Sequence, residues 1–292
     1  MSYPTIGDGH KTGGRVVLPG TTRFGCPEGY DPAIWQARVD LAACYHLCNA
    51  FDFNEGICNH LTVMVPGTTD RFLCIPYGLM WDEVTASNLL LLDESGTILE
   101  GEGPVQGAAV ALHGPIHAAR REAARVIFHT HQPWFTALAC IKAGGLRMFH
   151  PDACIYADRV GFDPMYTGNW PMGTIVGSLS EGERLLRVPE LKNKDMCFLA
   201  NHGTLQISSS IEEALFDCFN VERLCKEQVH AMMYASPFRE LTREQITSLR
   251  AKYERTRRAM VTRSLSSTSR HTSSTPASQH DHGSRCILRC FR

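Results

Sequence analysis

Two short apolar runs that each end in histidine constrain this chain more than any other feature. Val126-Ile127-Phe128 leads into His129-Thr130-His131, and Cys197-Phe198-Leu199-Ala200 leads into Asn201-His202-Gly203. Runs of this length and type, bounded by polar residues, read as buried strands. Side chains alternate along a strand, so His129 and His131 project from one side, roughly 6.5–7 Å apart along the backbone. Two imidazoles at that spacing can converge on one cation. Gly203 permits a sharp turn behind His202, which offers a third imidazole from the second strand. Three neutral imidazoles suit Zn²⁺, with Mn²⁺, Fe²⁺ or Co²⁺ as alternatives, and leave positions open for a substrate.

The rest of the chain supplies strands and helices in alternation. Asp31-Pro32 reads as an N-cap followed by proline at the first helical position, with an apolar side through Ile34, Ala37, Leu41 and Tyr45. Strands are expected over residues 60–65 and 71–75, the latter closing at Pro76-Tyr77-Gly78. A hairpin is expected from residues 89–92 and 98–99 around Asp93-Glu94-Ser95-Gly96. Residues 105–124 read as a helix despite Gly114-Pro115. On it Val110, His113 and His117 fall at i, i+3 and i+7 and share one face, which can aim His113 or His117 at the same cation. A histidine satisfied within the core is the alternative at each. A long helix from Ser209 opens with the pattern of a capping box, Ser210 to Glu213. Glu222 on it is expected either to orient a metal histidine or to pair with a buried arginine. Residues 242–260 read as a charged surface helix.

Composition narrows the class. Lys and Arg number 29 against 30 Asp and Glu, so no global field draws in nucleic acid or an acidic membrane. No apolar run approaches the roughly 20 residues of a membrane span, and the first residues lack the pattern of a secretory signal. The twelve cysteines form no C-x-x-C pair, which favours reduced core thiols in a cytoplasmic protein. Between Ser264 and Ser284, eleven of 21 residues are Ser or Thr, a composition that buries too little apolar surface to offset ordering. The expected organisation is an irregular leader over 1–30, one α/β domain over 31–260, and a disordered tail over 261–292.

Six blocks occur in a recognisable order: Asn54-Glu-Gly-Ile-Cys-Asn-His-Leu-Thr62, Pro76-Tyr-Gly-Leu79, Glu83-Val-Thr-Ala-Ser87, Ile116-His-Ala-Ala-Arg120, His129-Thr-His131 and Asn201-His-Gly203. Together they resemble the class II aldolase/adducin family, especially its adducin-like branch, over about residues 33–235. The resemblance implies a three-layer α/β/α fold around a mainly antiparallel sheet. It also implies a divalent metal, usually zinc, held by His129, His131 and His202, with active sites at subunit interfaces of a homotetramer or other homo-oligomer. Asn59, Tyr77 and Gly78 match segments that line the family's substrate pocket. Sugar-phosphate aldolases of the family carry a Glu nineteen residues before the first metal histidine, and here that count reaches Val110. The serines that cradle phosphate there correspond to Ala108 and Ala109. A phospho-sugar aldolase is therefore not expected. The implied activity is a metal-dependent carbon–carbon lyase on a small unphosphorylated carbonyl or hydroxy acid. Decarboxylation is preferred over aldol cleavage, with His113 as proton donor. The alternative is a non-catalytic adducin-head-like protein that binds actin or other cytoskeletal partners. The chain has no lysine after Lys252, whereas adducins rely on a lysine-rich tail, and this favours the enzyme.

Overall fold

In the computed structural model, residues 25–142, 144–164, 180–234 and 239–271 are described. The leader before residue 25 and the tail beyond 271 lie outside them. The first helix, α1 (Pro32–Ala50), begins as its sequence demands. Asp31 accepts hydrogen bonds from the backbone of Ala33 (2.7 Å) and Ile34 (3.4 Å), and Pro32 occupies a position that needs no N–H partner. Its buried face is wider than the apolar stripe, because Arg38 is buried too. That guanidinium donates to the Leu89 carbonyl (2.8 Å) and to Glu100 (3.1 Å), fastening α1 to the hairpin.

Eight strands form one sheet: β1 (His60–Met64), β2 (Arg71–Cys74), β3 (Leu90–Asp93), β4 (Ile98–Glu100), β5 (Val126–Thr130), β6 (Val160–Asp163), β7 (Met196–Leu199) and β8 (Gly203–Ser208). Their order is β4-β3-β2-β1-β5-β8-β7-β6, antiparallel throughout except for the β6–β7 pair. Register decides which side chains share a face. Leu61 stands opposite Phe128 and Val63 opposite Val126, all packed against α1. His60 opposite His129 and Thr62 opposite Ile127 face the other way, toward α2 (Gly107–Arg120).

Helices α1, α3 (Pro133–Ala139) and α5 (Ile211–Met232) cover the first face. The other is covered by α2 and α4 (Glu181–Leu186), through Leu112, Ile116 and Leu185 on Ile127, Leu199, Leu205 and Ile207. This is the expected three-layer α/β/α arrangement. Each fully buried Leu, Ile or Phe in these layers contributes about 1.5–3 kcal/mol. All ten described cysteines are free, and seven are buried.

Three details depart from the sequence reading. The Ser210 cap is one-sided: its side chain accepts from Glu213 N–H, but the Glu213 carboxylate turns to Ser209 Oγ (2.5 Å) instead of closing the box. The last helix, α6 (Arg243–His271), runs past residue 260, since neither Gly nor Pro interrupts that stretch. Nor is α6 merely a surface helix. Arg257 on it is buried against Asp217 of α5, at 2.8 and 2.9 Å.

Candidate metal centre and its surroundings

Antiparallel register gathers one end of the sheet around a single point. There β1 begins at His60, β5 ends at Thr130, β7 ends at Leu199 and β8 begins at Gly203. His129, His131 and His202 meet at that point, and one ring nitrogen from each lies within 4.8 Å of the others. Their ring centroids are 4.6–5.0 Å apart. Asn201 adopts a left-handed conformation, φ 57°, which reverses the chain after β7 and carries His202 toward β5. Gly203 is required next to it: a Cβ there would stand 2.5 Å from His131 Cδ2 and 2.6 Å from the Thr130 carbonyl.

Hydrogen bonds aim two of the rings. His129 Nδ1 donates to the Thr204 carbonyl (2.7 Å), and His131 Nδ1 is bonded to the Glu55 carboxylate. Each bond commits Nδ1 and turns Nε2 inward as a lone pair. Both Nε2 atoms are buried and have no hydrogen-bond partner among the described residues. Burial costs such atoms about 1–3 kcal/mol when unpaired, so the arrangement fits the binding of an electrophile better than a packed core. Burial also holds His129 well below the ordinary imidazole range and lowers His202 to about 3, with the neighbouring imidazoles adding to both. His129 and His202, held neutral in this way, form with His131 a donor set suited to a divalent transition metal.

Glu55 went unnoticed as a functional residue, although it lies in the first block of the resemblance. No periodicity marks it, because it sits in the turn before β1. A carboxylate on a ligand's distal nitrogen fixes ring orientation and raises basicity. Glu55→Gln is therefore expected to weaken zinc affinity about 10-fold or more while leaving the melting temperature of the metal-free protein unchanged. Competition with a zinc chelator measures it, and an unaltered affinity would deny Glu55 this role.

His113 does not join the triad. It is fully buried, with Nε2 3.1 Å from His60 Nδ1 and Nδ1 2.7 Å from Thr62 Oγ1. His60 stands between it and His129, the two ring separations being 4.5 and 5.1 Å. His117, also buried, lies on the other side of Thr62 in the chain of bonds, bonded to Thr62 Oγ1 (2.8 Å) and the Ala124 carbonyl (2.5 Å). Both helix histidines are thus satisfied core groups, and neither is aimed at the cation site.

Counting nineteen residues back from His129 also misleads. Val110 packs its methyls where a Cβ on Gly96, in the β3–β4 turn, would meet them at 2.9 Å. One turn before His113 on the same buried face stands Ala109, which is inaccessible to solvent. The 3-10 turn Arg121–Ala124, entered through Arg121 at φ 45°, separates α2 from β5, so a residue count across it does not preserve facing. The chemical point is unchanged, for α2 carries no Asp or Glu at all.

Asn59 and the Pro76–Gly78 turn stand at the triad's end of the sheet, since β1 starts and β2 finishes there with Thr62 opposite Cys74. Asn59 has φ 69°, and neither atom of its buried amide has a hydrogen-bond partner among the described residues. Tyr77 donates its N–H to the Pro104 carbonyl (2.9 Å), and Gly78 sits at φ 99°. Glu222 meets neither expectation. Its two oxygens accept the N–H groups of Trp134 and Phe135, both at 2.9 Å, and so cap α3 immediately after the His-x-His segment.

Buried neutral histidines leave a signature in acid. Burial lowers His117 to about 4, its bond to Ala124 opposing only in part. The unfolded state, near 6.5, then binds more protons below that pH, so stability falls as pH drops from 6.5 toward 4. At pH 5 His117 alone is expected to cost about 2 kcal/mol relative to pH 7. Urea denaturation of the metal-free protein at the two pH values tests this, and equal stabilities would contradict it.

The fold and site define a three-layer α/β/α protein with a cluster of three histidines, able to hold a metal ion, at one end of its sheet. The chain belongs to the class II aldolase and adducin N-terminal domain family, whose model matches residues 39–229. It is 34% identical over 202 residues to a Caulobacter vibrioides protein named "Putative aldolase class 2 protein", covering 68% of this chain and 74% of that one. Identity to mouse alpha-adducin is 32% over 210 residues, covering 70% of this chain but 27% of adducin. Among solved structures, an aldolase II superfamily protein from Pseudomonas syringae matches with TM-score 0.66 and 29% identity, over 80% of this chain and 95% of that one. L-fuculose 1-phosphate aldolase from Glaciozyma antarctica shares the fold, with TM-score 0.63 at 22% identity over 78% and 86% of the two chains. No described helix is long and apolar enough to cross a membrane.

Proposed function

We propose that this protein is a metal-dependent carbon–carbon lyase acting on a small unphosphorylated hydroxy or carbonyl acid, with decarboxylation as its reaction. One observation supports the reading: two buried Nε2 atoms, on His129 and His131, converge beside His202 without a hydrogen-bond partner among the described residues. Bound there, a divalent ion, zinc first among candidates, supplies a Lewis acid for the electron pair left when CO₂ departs. His129, His131 and His202 would hold it, with Glu55 and the Thr204 carbonyl orienting two of those rings. Asn59, Tyr77 and Gly78 are the proposed substrate contacts.

The choice of reaction rests on α2. Retro-aldol cleavage needs a base for the substrate hydroxyl, and no carboxylate stands on this helix. Loss of CO₂ needs no such base. The subsequent protonation was expected of His113, but its ring lies behind His60, so His113 acts as a positioning residue. Water entering past the partly exposed His131 and His202 supplies the proton. The working form is proposed to be a cytoplasmic homo-oligomer, with a tetramer expected. Likeness to alpha-adducin supports a second reading, a non-catalytic domain for cytoskeletal partners. Zinc-loaded protein should release CO₂ from at least one member of a panel of β-keto, hydroxy and hydroxyaromatic acids, and His131→Ala should abolish that release. Metal-loaded protein inert toward the whole panel would favour the second reading.

A further inference from the structure

A buried hydrogen-bond chain runs from the Ala124 carbonyl to the edge of the triad, and its polarity is set at the far end. A carbonyl only accepts, so His117 Nδ1, 2.5 Å from Ala124 O, carries hydrogen. His117 is 2% exposed and bonded to no carboxylate, which keeps it neutral and leaves Nε2 bare. Thr62 Oγ1 therefore donates its single hydrogen to that nitrogen across 2.8 Å. With its hydrogen committed, the hydroxyl accepts from His113 Nδ1 at 2.7 Å. Neutral His113 then has a bare Nε2, which accepts from His60 Nδ1 at 3.1 Å. His60, 1% exposed, ends the chain with a bare Nε2 that is buried and has no hydrogen-bond partner among the described residues.

We propose that His60 Nε2 is a fixed hydrogen-bond acceptor in the substrate site, held in that tautomer by Thr62, His113 and His117 to read a hydroxyl on the bound molecule beside His129. A lone pair there repels carboxylate and phosphate oxygens and gives a keto oxygen nothing to bond. A hydroxyl donates to it. This deepens the lyase reading, on which it rests for the identity of the ligand, by requiring a hydroxyl on the acid in addition to the carbonyl or aromatic ring that takes up the electron pair. The amide of Asn59, the preceding residue, also without a hydrogen-bond partner among the described residues, offers a donor and an acceptor. The opposite polarity would set a bare His117 nitrogen against a carbonyl oxygen, two acceptors at 2.5 Å.

The tautomers are independent of catalysis and can be read directly. Long-range ¹H–¹⁵N spectra of the full-length metal-free protein, assigned with single His→Gln variants, should show His60, His113 and His117 all protonated at Nδ1. A proton on His60 Nε2 would overturn the proposal. Thr62→Val removes the link and should leave His113 and His60 as tautomer mixtures, whereas Thr62→Ser should preserve the wild-type pattern. An unchanged pattern in Thr62→Val would also overturn it, and if that variant does not fold the wild-type spectrum still decides. Calorimetry on zinc-loaded protein tests the ligand. Glycolate should bind at least 10-fold more tightly than methoxyacetate, which has no hydroxyl hydrogen. Equal affinities, or no binding of either, would overturn the assignment of a hydroxyl. Failure to release CO₂ from any acid, with these results intact, would instead count against the lyase reading alone.

Discussion

Asp217→Asn is expected to destabilise the protein by about 3 kcal/mol and to lower its melting temperature by roughly 6–12 °C. Asp217 is completely buried, and its carboxylate accepts from Tyr156 Oη (3.0 Å), Arg159 (2.5 Å) and Arg257 (2.8 and 2.9 Å). Burial alone would push its pKa up. Arg159 and Arg257 outweigh that and hold it below the usual carboxylate value. Asparagine keeps the shape but leaves Arg257, which is 6% exposed, with Glu254 and Glu213 as its remaining carboxylates. Removing one partner of a buried charge group costs far more than the intact group contributes. Because Arg257 is α6's buried anchor, hydrogen exchange should accelerate first in α6 and only later in β1 and β5. A melting temperature within 1 °C of wild type would show that the network contributes little. The same carboxylate gives stability above its unfolded pKa near 3.9, and this is lost as pH falls through its lower folded value.

What the sequence made legible, and what it did not, follows from locality. Asp31-Pro32, the Asp93–Gly96 turn and the alternation before His129 are settled by neighbouring residues, and the structure has each element close to its expected place. The triad was legible because strand parity and a glycine turn are local as well. The roles of Arg38, Glu55, Glu222 and Asp217 were not. Each is polar and makes a decisive contact from 51 to 87 positions away in the chain. Val110 failed for a related reason, since a helical face cannot be counted across a 3-10 turn. His113 was found by its spacing but given too direct a role, because nothing in its own helix reveals that His60 stands in front of it.

The largest effect is expected from His129→Ala, His131→Ala. Two of three donors are lost, and the remaining imidazole cannot hold a divalent ion with useful affinity. Binding to the native state alone stabilises by RT ln(1 + [L]/Kd), which is about 4 kcal/mol at a thousandfold excess over Kd. Zinc should therefore raise the wild-type melting temperature by roughly 8–16 °C and leave that of the double variant unmoved. Burial holds His129 neutral and lowers His202 to about 3, so little proton release should oppose binding between pH 6 and 8.

Elemental analysis of the purified full chain tests the central claim most directly. The wild type should carry about one divalent metal ion per chain, and the double variant less than about a tenth of that. A wild-type protein that remains below about 0.1 ion per chain after zinc loading would contradict the metal centre and the lyase chemistry proposed for it.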